Sequence, residues 1–243
     1  MDIKGKKVLV TGAGAGIGRA VAVMFADRGA DTVVVVDINA ANLASTAEAV
    51  RAAGAKAITM TADLSKPEEV IAMFEEADRA TGGLDIVHNN AGIMTGEPDF
   101  PDTVMEKMIA VIQINLIAMM VGTRIAIEQM RRRGAPGVII NTSSIAAFST
   151  MPADPAYSAS KHGILAFSQS CKPLHEAYNI RVMAICPGVV DTAIVPKDAE
   201  WLAPVLKALK ILHPDDIARA VMDIAADDTL AGDQVTVSNA PAD

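Results

Sequence analysis

Cysteine is scarce: Cys171 and Cys186 are the only two in 243 residues. No Cys-x-x-Cys spacing joins them, so a disulfide framework and a thiolate metal site are both unexpected, and free thiols in a reducing cytoplasm fit the count. None of the four histidines, His88, His162, His175 and His213, has a partner at a metal-ligand spacing, and no metal is assigned. Positive charge is also short. The formal net charge of -8 would repel a phosphate backbone, which argues against nucleic acid or an anionic membrane as partner. The one basic run, Arg131 to Arg133, falls at the end of a predicted helix, where it complements the helix dipole. Residues 108 to 122 are rich in Ile, Val and Met, but Gln113 and Asn115 interrupt them and the run is too short to span a bilayer. The first strand starts almost at once, so no signal peptide is expected. No Pro/Gly/Ser-rich linker, low-complexity tract or internal repeat divides the chain, and 51% hydrophobic content is ample for one core. A single domain over residues 1–243 follows.

Strand-like runs at 7–10, 32–36, 57–60, 84–88, 137–141, 180–185 and 234–237 alternate with helical stretches. That alternation predicts an α/β protein, with a doubly wound, Rossmann-type parallel sheet of seven strands and helices on both faces. The first run, ending Val10-Thr11, leads into Gly12-Ala13-Gly14-Ala15-Gly16-Ile17-Gly18 and then an apolar-periodic stretch, Arg19 to Arg28. Strand, glycine-rich turn and helix in that order suit a pyrophosphate: the backbone can approach closely, and the helix N-terminus offers free N–H groups and positive potential. A tight turn that binds nothing has the same local pattern. The register is G-x-x-x-G-x-G through Gly12, Gly16 and Gly18, and no G-x-G-x-x-G is present.

The second strand ends in Asp37, where such a fold sets an acid against the adenosine ribose. A carboxylate there accepts from the 2'-OH and repels a 2'-phosphate, and neither Ala15 nor Ile38 supplies a basic partner for one. NAD is therefore expected over NADP. The bland reading is an Asp that ends a strand or caps the next helix.

Tyr157-Ser-Ala-Ser-Lys161 sets a phenol and an ammonium four residues apart, on one face if the segment is helical. An ammonium held there would favour the phenolate and lower the tyrosine's pKa from about 10 towards neutrality, suiting proton exchange with a substrate oxygen. Chance alone can produce this spacing on a helix surface.

Thr11-Gly12-x-x-x-Gly16-x-Gly18, Asp63-Leu64, Asn89-Asn90-Ala91-Gly92, Asn115, Ser144, Tyr157-x-x-x-Lys161 and Pro187-Gly188-x-x-x-Thr192 together resemble, in order and spacing, the single-domain short-chain dehydrogenases/reductases. The resemblance runs from about residue 5 to the C-terminus. It implies hydride transfer between NAD and an alcohol or ketone. Tyr157 is then the acid/base, and Lys161 both tunes it and bonds the nicotinamide ribose. Ser144, with Ser143 its competitor, holds the substrate oxygen, and Asn115 kinks its helix and supports a water leading to the lysine. The resemblance further implies Gly12, Gly16, Ile17, Gly18, Asp37 and Ile38 at the adenosine end of the cofactor. Asp63 and Leu64 would lie at the adenine, Asn90, Ala91 and Gly92 at the ribose, and Pro187, Gly188, Val190 and Thr192 at the nicotinamide and its phosphate. For Asn89, tying strands together is as good a reading as touching ligand. A homotetramer is implied, built on helices around 103–132 and 157–178.

The stretch from Gly188 to His213 is expected to form a lid, about 189–213. Its apolar stripe of Trp201, Leu202, Val205, Leu206 and Leu209 would cap a substrate, pack on the protein itself or meet another subunit. Met94, Ile145, Met151 and Trp201 are candidate pocket walls beside Ser144 and Tyr157, with Phe148 and Thr150 further candidates. All are neutral. Only Lys197 could hold an acidic substrate, so an uncharged secondary alcohol or ketone is expected. Three features depart from the family: Pro173 should kink the helix that carries Tyr157, Ser238-Asn239-Ala240 stands where relatives often have Asp-Gly-Gly, and His88 occupies an apolar strand position. The alternatives are an idle NAD-binding sensor or scaffold, an NADP-using carbonyl reductase, and an epimerase or dehydratase, for which this chain has little room.

Overall fold

The protein is described from a computed structural model covering residues 1–242. The seven strands are β1 (Lys7–Thr11), β2 (Thr32–Asp37), β3 (Lys56–Thr61), β4 (Ile86–Asn89), β5 (Gly137–Thr142), β6 (Ile180–Pro187) and β7 (Gln234–Val237). They pair in parallel throughout, in the order β3-β2-β1-β4-β5-β6-β7. The helices are α1 (Gly16–Asp27), α2 (Ala40–Ala52), α3 (Pro67–Thr81), α4 (Met105–Ile112), α5 (Met119–Arg133), α6 (Pro155–Ser170), α7 (Pro173–Tyr178), α8 (Ala203–Ala208) and α9 (Pro214–Ala226). This is the expected α/β, Rossmann-type sheet. The order reverses between β1 and β4, where a doubly wound sheet opens a crevice at its carboxyl ends.

Valines and isoleucines alternate between two core layers because both sheet faces are covered. Val8, Val10, Val33 and Val35 pack on Phe25, Leu43 and Ile217 from α1, α2 and α9. Leu9, Val34, Val36 and Val87 face Phe74 of α3 and Met130 of α5. The fourth strand begins at Ile86 rather than at the expected 84. Gly82 and Gly83, at φ +68° and +118°, still carry the chain out of α3 at that point.

Two helices differ from expectation. A single α-helix was expected over 157–178, kinked at Pro173. Instead α6 stops at Ser170 and Pro173 opens α7, where its missing N–H costs nothing. By contrast, the apolar stretch at 108–122 belongs to one unbroken helix, Met105–Arg133, in which residues Gln113–Ala118 form a π-helical turn. At 29 residues it is long and apolar enough to cross a membrane, so the expectation of a run too short for that does not hold. Gln113 and Asn115 do not end it, because their amides sit within a continuing helix. One side of it packs on α3 and the sheet, while Met105, Ile109, Ile117 and Met120 are exposed. The basic run at its end turns to its own chain: Arg132 pairs with Asp78 at 2.7 Å, Arg133 donates to Leu84 O, and Arg131 lies 4.1 Å over the Tyr178 ring.

His88, the odd residue of β4, is fully buried between Val10 and Ile140. Its Nε2 lies 2.9 Å from Thr142 Oγ1, and Nδ1 has no partner among the described residues. Burial drives its pKa down to about 3, so the imidazole stays neutral. Between pH 6.5 and 3 the unfolded chain takes up a proton that the folded chain refuses, so stability is lost as pH falls through that window, by at most about 1.4 kcal/mol per pH unit. We expect His88→Val to show a shallower loss of unfolding free energy than the parent over this range in urea titrations. Equal slopes would refute the assignment.

Candidate active site

The carboxyl ends of β1, β4, β5 and β6 open into a cleft of about 460 Å³. The β1–α1 turn brings Gly12, Gly16 and Ile17 to it, and the end of β2 brings Asp37. No side chain caps the α1 N-terminus and no acid stands in its first turn, so its amide dipoles are available to an anion. Gly14, which the sequence reading passed over, sets the acid: its N–H donates to Asp37 Oδ2 at 2.9 Å, and a Cβ on Gly14 would fall 2.8 Å from that oxygen. Asn39 N–H takes Oδ1 at 3.0 Å. Gly18 lies below the cleft. A Cβ there would meet Gly12 O at 2.1 Å, so this glycine serves helix-to-strand packing.

Past β4, Asn90, Ala91 and Gly92 line the cleft. Thr11 holds them, its hydroxyl accepting from Asn90 N at 2.9 Å and Ala91 N at 3.1 Å while its carbonyl accepts from Asn90 Nδ2 at 3.0 Å. Asn89 points to the other face of the sheet, donating to Asn141 Oδ1 at 2.9 Å and to Thr123 Oγ1 at 3.2 Å; strand tying is its role.

Ser144, Tyr157 and Lys161 meet on one wall. Asp154 starts α6 beneath them, one carboxylate oxygen accepting from Tyr157 N at 2.9 Å and the other from Thr95 N at 2.8 Å. Lys161 is 2% exposed, with Nζ donating to Thr142 O at 2.8 Å and its own carbonyl accepting from Ser143 Oγ at 2.8 Å. That bond engages Ser143, while Ser144 Oγ accepts from Ala146 N at 3.1 Å; both serines line the cleft, and Ser144 is the one hydrogen-bonded to Tyr157. Asn115 is behind this wall, bonding Ile93 N and O at 2.9 and 2.8 Å and Ser160 Oγ at 3.3 Å. Its amide lies across the π-helical turn, near Gly92 and Lys161.

The electrostatics differ from the sequence expectation. Burial raises the Tyr157 pKa above the usual tyrosine value, the Asp154 charge acts in the same direction, and only a hydrogen bond with Ser144 favours the phenolate. The Lys161 ammonium, 5.5 Å from the ring centroid, is aimed at Thr142 O and does not produce the expected depression. Burial lowers Lys161 itself to about 8.

Pro187, Gly188, Val190 and Thr192 complete the cleft from β6 onwards, and Met94, Ile145, Met151 and Trp201 line it with apolar surface. The apolar stripe divides: Trp201, Leu202 and Val205 face the cleft, Leu206 turns to a separate hollow beside Val190 and Ile211, and Leu209 bridges to Pro241. Besides Gly18 and Asn115, several expected residues fall outside this cleft, Thr150 among them. Ile38 is 67% exposed, and Phe148, also a candidate wall, is 54% exposed. Asp63 accepts from Ser65 at 3.0 and 2.7 Å and lies 3.4 Å from Lys66, so its carboxylate serves the start of α3. Leu64 packs with Val70, Met73 and Phe74. Lys197 pairs with Asp191 at the surface and does not line this cleft. It borders a larger open depression of about 970 Å³ beside α1, which holds only Gly16 and Thr192 of the expected site. Thr142 and Asp154 were missed. Asp154-Pro155 ahead of a helical run is a legible cap-and-first-turn signal, whereas Thr142 acts partly through its backbone carbonyl and has no signature.

A glycine turn, an acid at the end of the second strand and a Ser-Tyr-Lys wall on a doubly wound sheet define a dinucleotide-dependent oxidoreductase. The family model for short chain dehydrogenases matches residues 6–203, and the chain belongs to that family, whose members use nicotinamide cofactors. It is 35% identical over 232 residues to 3beta-hydroxysteroid dehydrogenase 1 of Eggerthella lenta, covering 93% of this chain and 88% of that protein. It is 34% identical over 250 residues to the Bos taurus 15-hydroxyprostaglandin dehydrogenase of NAD(+) type, covering 96% and 90%. The crystal structure of levodione reductase superposes with a TM-score of 0.89 at 26% identity, over 97% of this chain and 96% of that one.

The chain has two tyrosines. In a Tyr178→Phe background the remaining phenol should ionise above about pH 10 in ultraviolet titration. Adding Asp154→Asn, which keeps a capping oxygen and removes the charge, should lower that midpoint, and adding Ser144→Ala should raise it. An ionisation near neutrality in the parent would restore the original expectation.

Proposed function

We propose that this protein is an NAD-dependent dehydrogenase/reductase acting on uncharged secondary alcohols or ketones. The observation that carries this reading is the meeting of Ser144, Tyr157 and Lys161 in the same cleft as Asp37 and the uncapped α1 N-terminus. The cleft suits a dinucleotide at both ends. The open N–H groups at Gly16 and Ile17 accommodate a pyrophosphate, and the carboxylate of Asp37, with no basic side chain beside it in the cleft, favours a free ribose diol.

When bound, the nicotinamide supplies acceptance of a hydride from the alcohol carbon, or its return to a ketone. Tyr157 Oη, held as the phenol by burial, gives its proton to the ketone oxygen in the reducing direction, and takes the hydroxyl proton in the oxidising direction once it is in the phenolate form. Ser144 Oγ holds the substrate oxygen and favours the phenolate. Lys161 spends one N–H on Thr142 O, leaving two donors for the cofactor ribose and the phenol side. Asn115, with both backbone groups of Ile93 in its grip, is a positioning residue behind the lysine.

On the substrate side Met94, Ile145, Met151, Trp201, Leu202 and Val205 present no charge, and the stretch 189–213 acts as a lid within a single domain. This favours a sizeable apolar alcohol, of the kind named in the hydroxysteroid and hydroxyprostaglandin relatives. The apolar face of Met105–Arg133, with Ile109, Ile117 and Met120 exposed, supports a homotetramer. Two free cysteines fit a cytoplasmic setting.

Absorbance at 340 nm with hydroxysteroids and smaller secondary alcohols, NAD and NADP in parallel, tests the reading. NAD should be preferred by about a hundredfold in kcat/KM, with Asp37→Ala narrowing the ratio. Tyr157→Phe should cut turnover about a thousandfold while calorimetric NAD binding persists. An undiminished rate in that variant would overturn the mechanism. Silence with every substrate despite NAD binding would favour a redox sensor. A monomer in sedimentation would refute the tetramer.

A further inference from the structure

The excursion between β6 and α9 leaves the sheet at Pro187 and returns at Pro214, carrying Val190, Thr192, Trp201, Leu202 and Val205 of the cleft wall. Its two arms run side by side near their ends, where Asp191 N–H donates to Leu212 O at 2.8 Å and Leu212 N–H to Val189 O at 3.0 Å. Both arms also lie along the chain that follows β7. Gly188 N–H donates to Val237 O and Lys210 N–H to Ala240 O, each at 2.8 Å.

Asn239 sits at the junction. Its Oδ1 accepts from Val189 N at 2.7 Å, while its Nδ2 donates to Val189 O at 2.8 Å and to Lys210 O at 3.0 Å. A primary amide is needed for this set, since one acceptor and two donors are used at once. The pairing with Val189 imitates a sheet ladder, and the third bond reaches the other arm. Among the described residues, no other side chain from outside the excursion bonds both arms. The amide is also pressed against the cleft: a Cβ on Gly188 would fall 2.1 Å from Asn239 Oδ1, and Gly188 itself lines the cleft. Further out, Thr192 Cγ2 stands 3.0 Å from where a Cβ on Gly16 would be, so the excursion rests on the glycine turn.

We propose that Asn239 is a positioning residue for this site: its amide pins the two arms of the 189–212 excursion together and so sets how closely Trp201 and Thr192 stand over the cleft. The proposal rests on that excursion covering the bound substrate, but its principal test needs no turnover. Trp201 is the only tryptophan in the chain, so emission excited beyond the absorption of the two tyrosines reports on the excursion alone.

Asn239→Asp keeps the shape and turns the donor into a charged acceptor facing Val189 O and Lys210 O, which breaks two bonds and adds repulsion. This variant should shift Trp201 emission to the red and raise its acrylamide quenching constant about twofold, with the thermal midpoint within a few degrees of the parent, since Asn239 is half-buried at the sheet edge. Substrate KM should rise about tenfold while kcat changes less than about threefold, because the Ser144-Tyr157-Lys161 wall is untouched. Asn239→Ala, which removes the bonds without the charge, should show the same pattern more weakly, and it serves if the aspartate variant fails to fold. Parent-like quenching and KM in a folded variant would overturn the proposal. If the dehydrogenase reading itself fails, no turnover will be seen in any form, yet the fluorescence comparison still decides the clamp.

Discussion

A primary ammonium at 2% exposure is costly unless its protons find acceptors, and the Lys161 bond to Thr142 O is the constraint around which the wall of Ser144, Tyr157 and Lys161 is arranged. Meeting it requires the end of β5 to lie under the second turn of α6. Ser143 secures that approach by bonding back to the Lys161 carbonyl. The same strand end receives His88 through the Thr142 hydroxyl, so Thr142 serves β4 and α6 at once. Moving any one of these elements would strand a buried polar group. This explains why a site made of side chains from β4, β5, α6 and the π-helical turn can be rigid without a metal or a disulfide among the described residues.

The cofactor side is governed by close approach rather than charge burial. Gly18 lets α1 settle on the Gly12 carbonyl, Gly14 lets the turn reach Asp37, and Thr11 binds the next segment to the same strand end. Backbone groups do most of this work. Charged side chains are few in the cleft, Asp37 and Lys161 among its lining, and the far end is apolar. The two ends are brought into one volume by the reversal of strand order between β1 and β4. A third component, the 189–212 excursion, comes from beyond β6 and is tied down by the residues after β7.

Much of this was legible in the residues alone. Strand positions followed from β-branched runs, and the glycine turn, Asp37 and the Tyr157-Lys161 pair followed from spacing within one or two turns of chain. Local sequence determined these because the groups concerned are neighbours along the backbone, where helix and strand periods dictate direction. Departures in the sequence also pointed correctly to unusual places. His88 proved to be a buried neutral imidazole, Pro173 a break between helices, and Asn239 a bonded amide at the edge of the site.

Only the tertiary structure decided the rest. The Tyr157 pKa is raised chiefly because burial disfavours the phenolate, and Lys161 Nζ donates to a carbonyl from another strand; neither fact is expressed in the spacing of the pair. Asp63 and Ile38 sit at spacings that suit a ligand, yet α3 takes the first and solvent the second. Asp154 accepts from Thr95, 59 residues before it, and from Tyr157, three residues after it, a relation that no period expresses. Spacing along the chain therefore determined which groups this protein carries and which face they share. Where Lys161 directs its ammonium and Asp154 its second oxygen, and how far burial shifts Tyr157, Lys161 and His88, came from contacts between distant segments, because desolvation and bonding act through space.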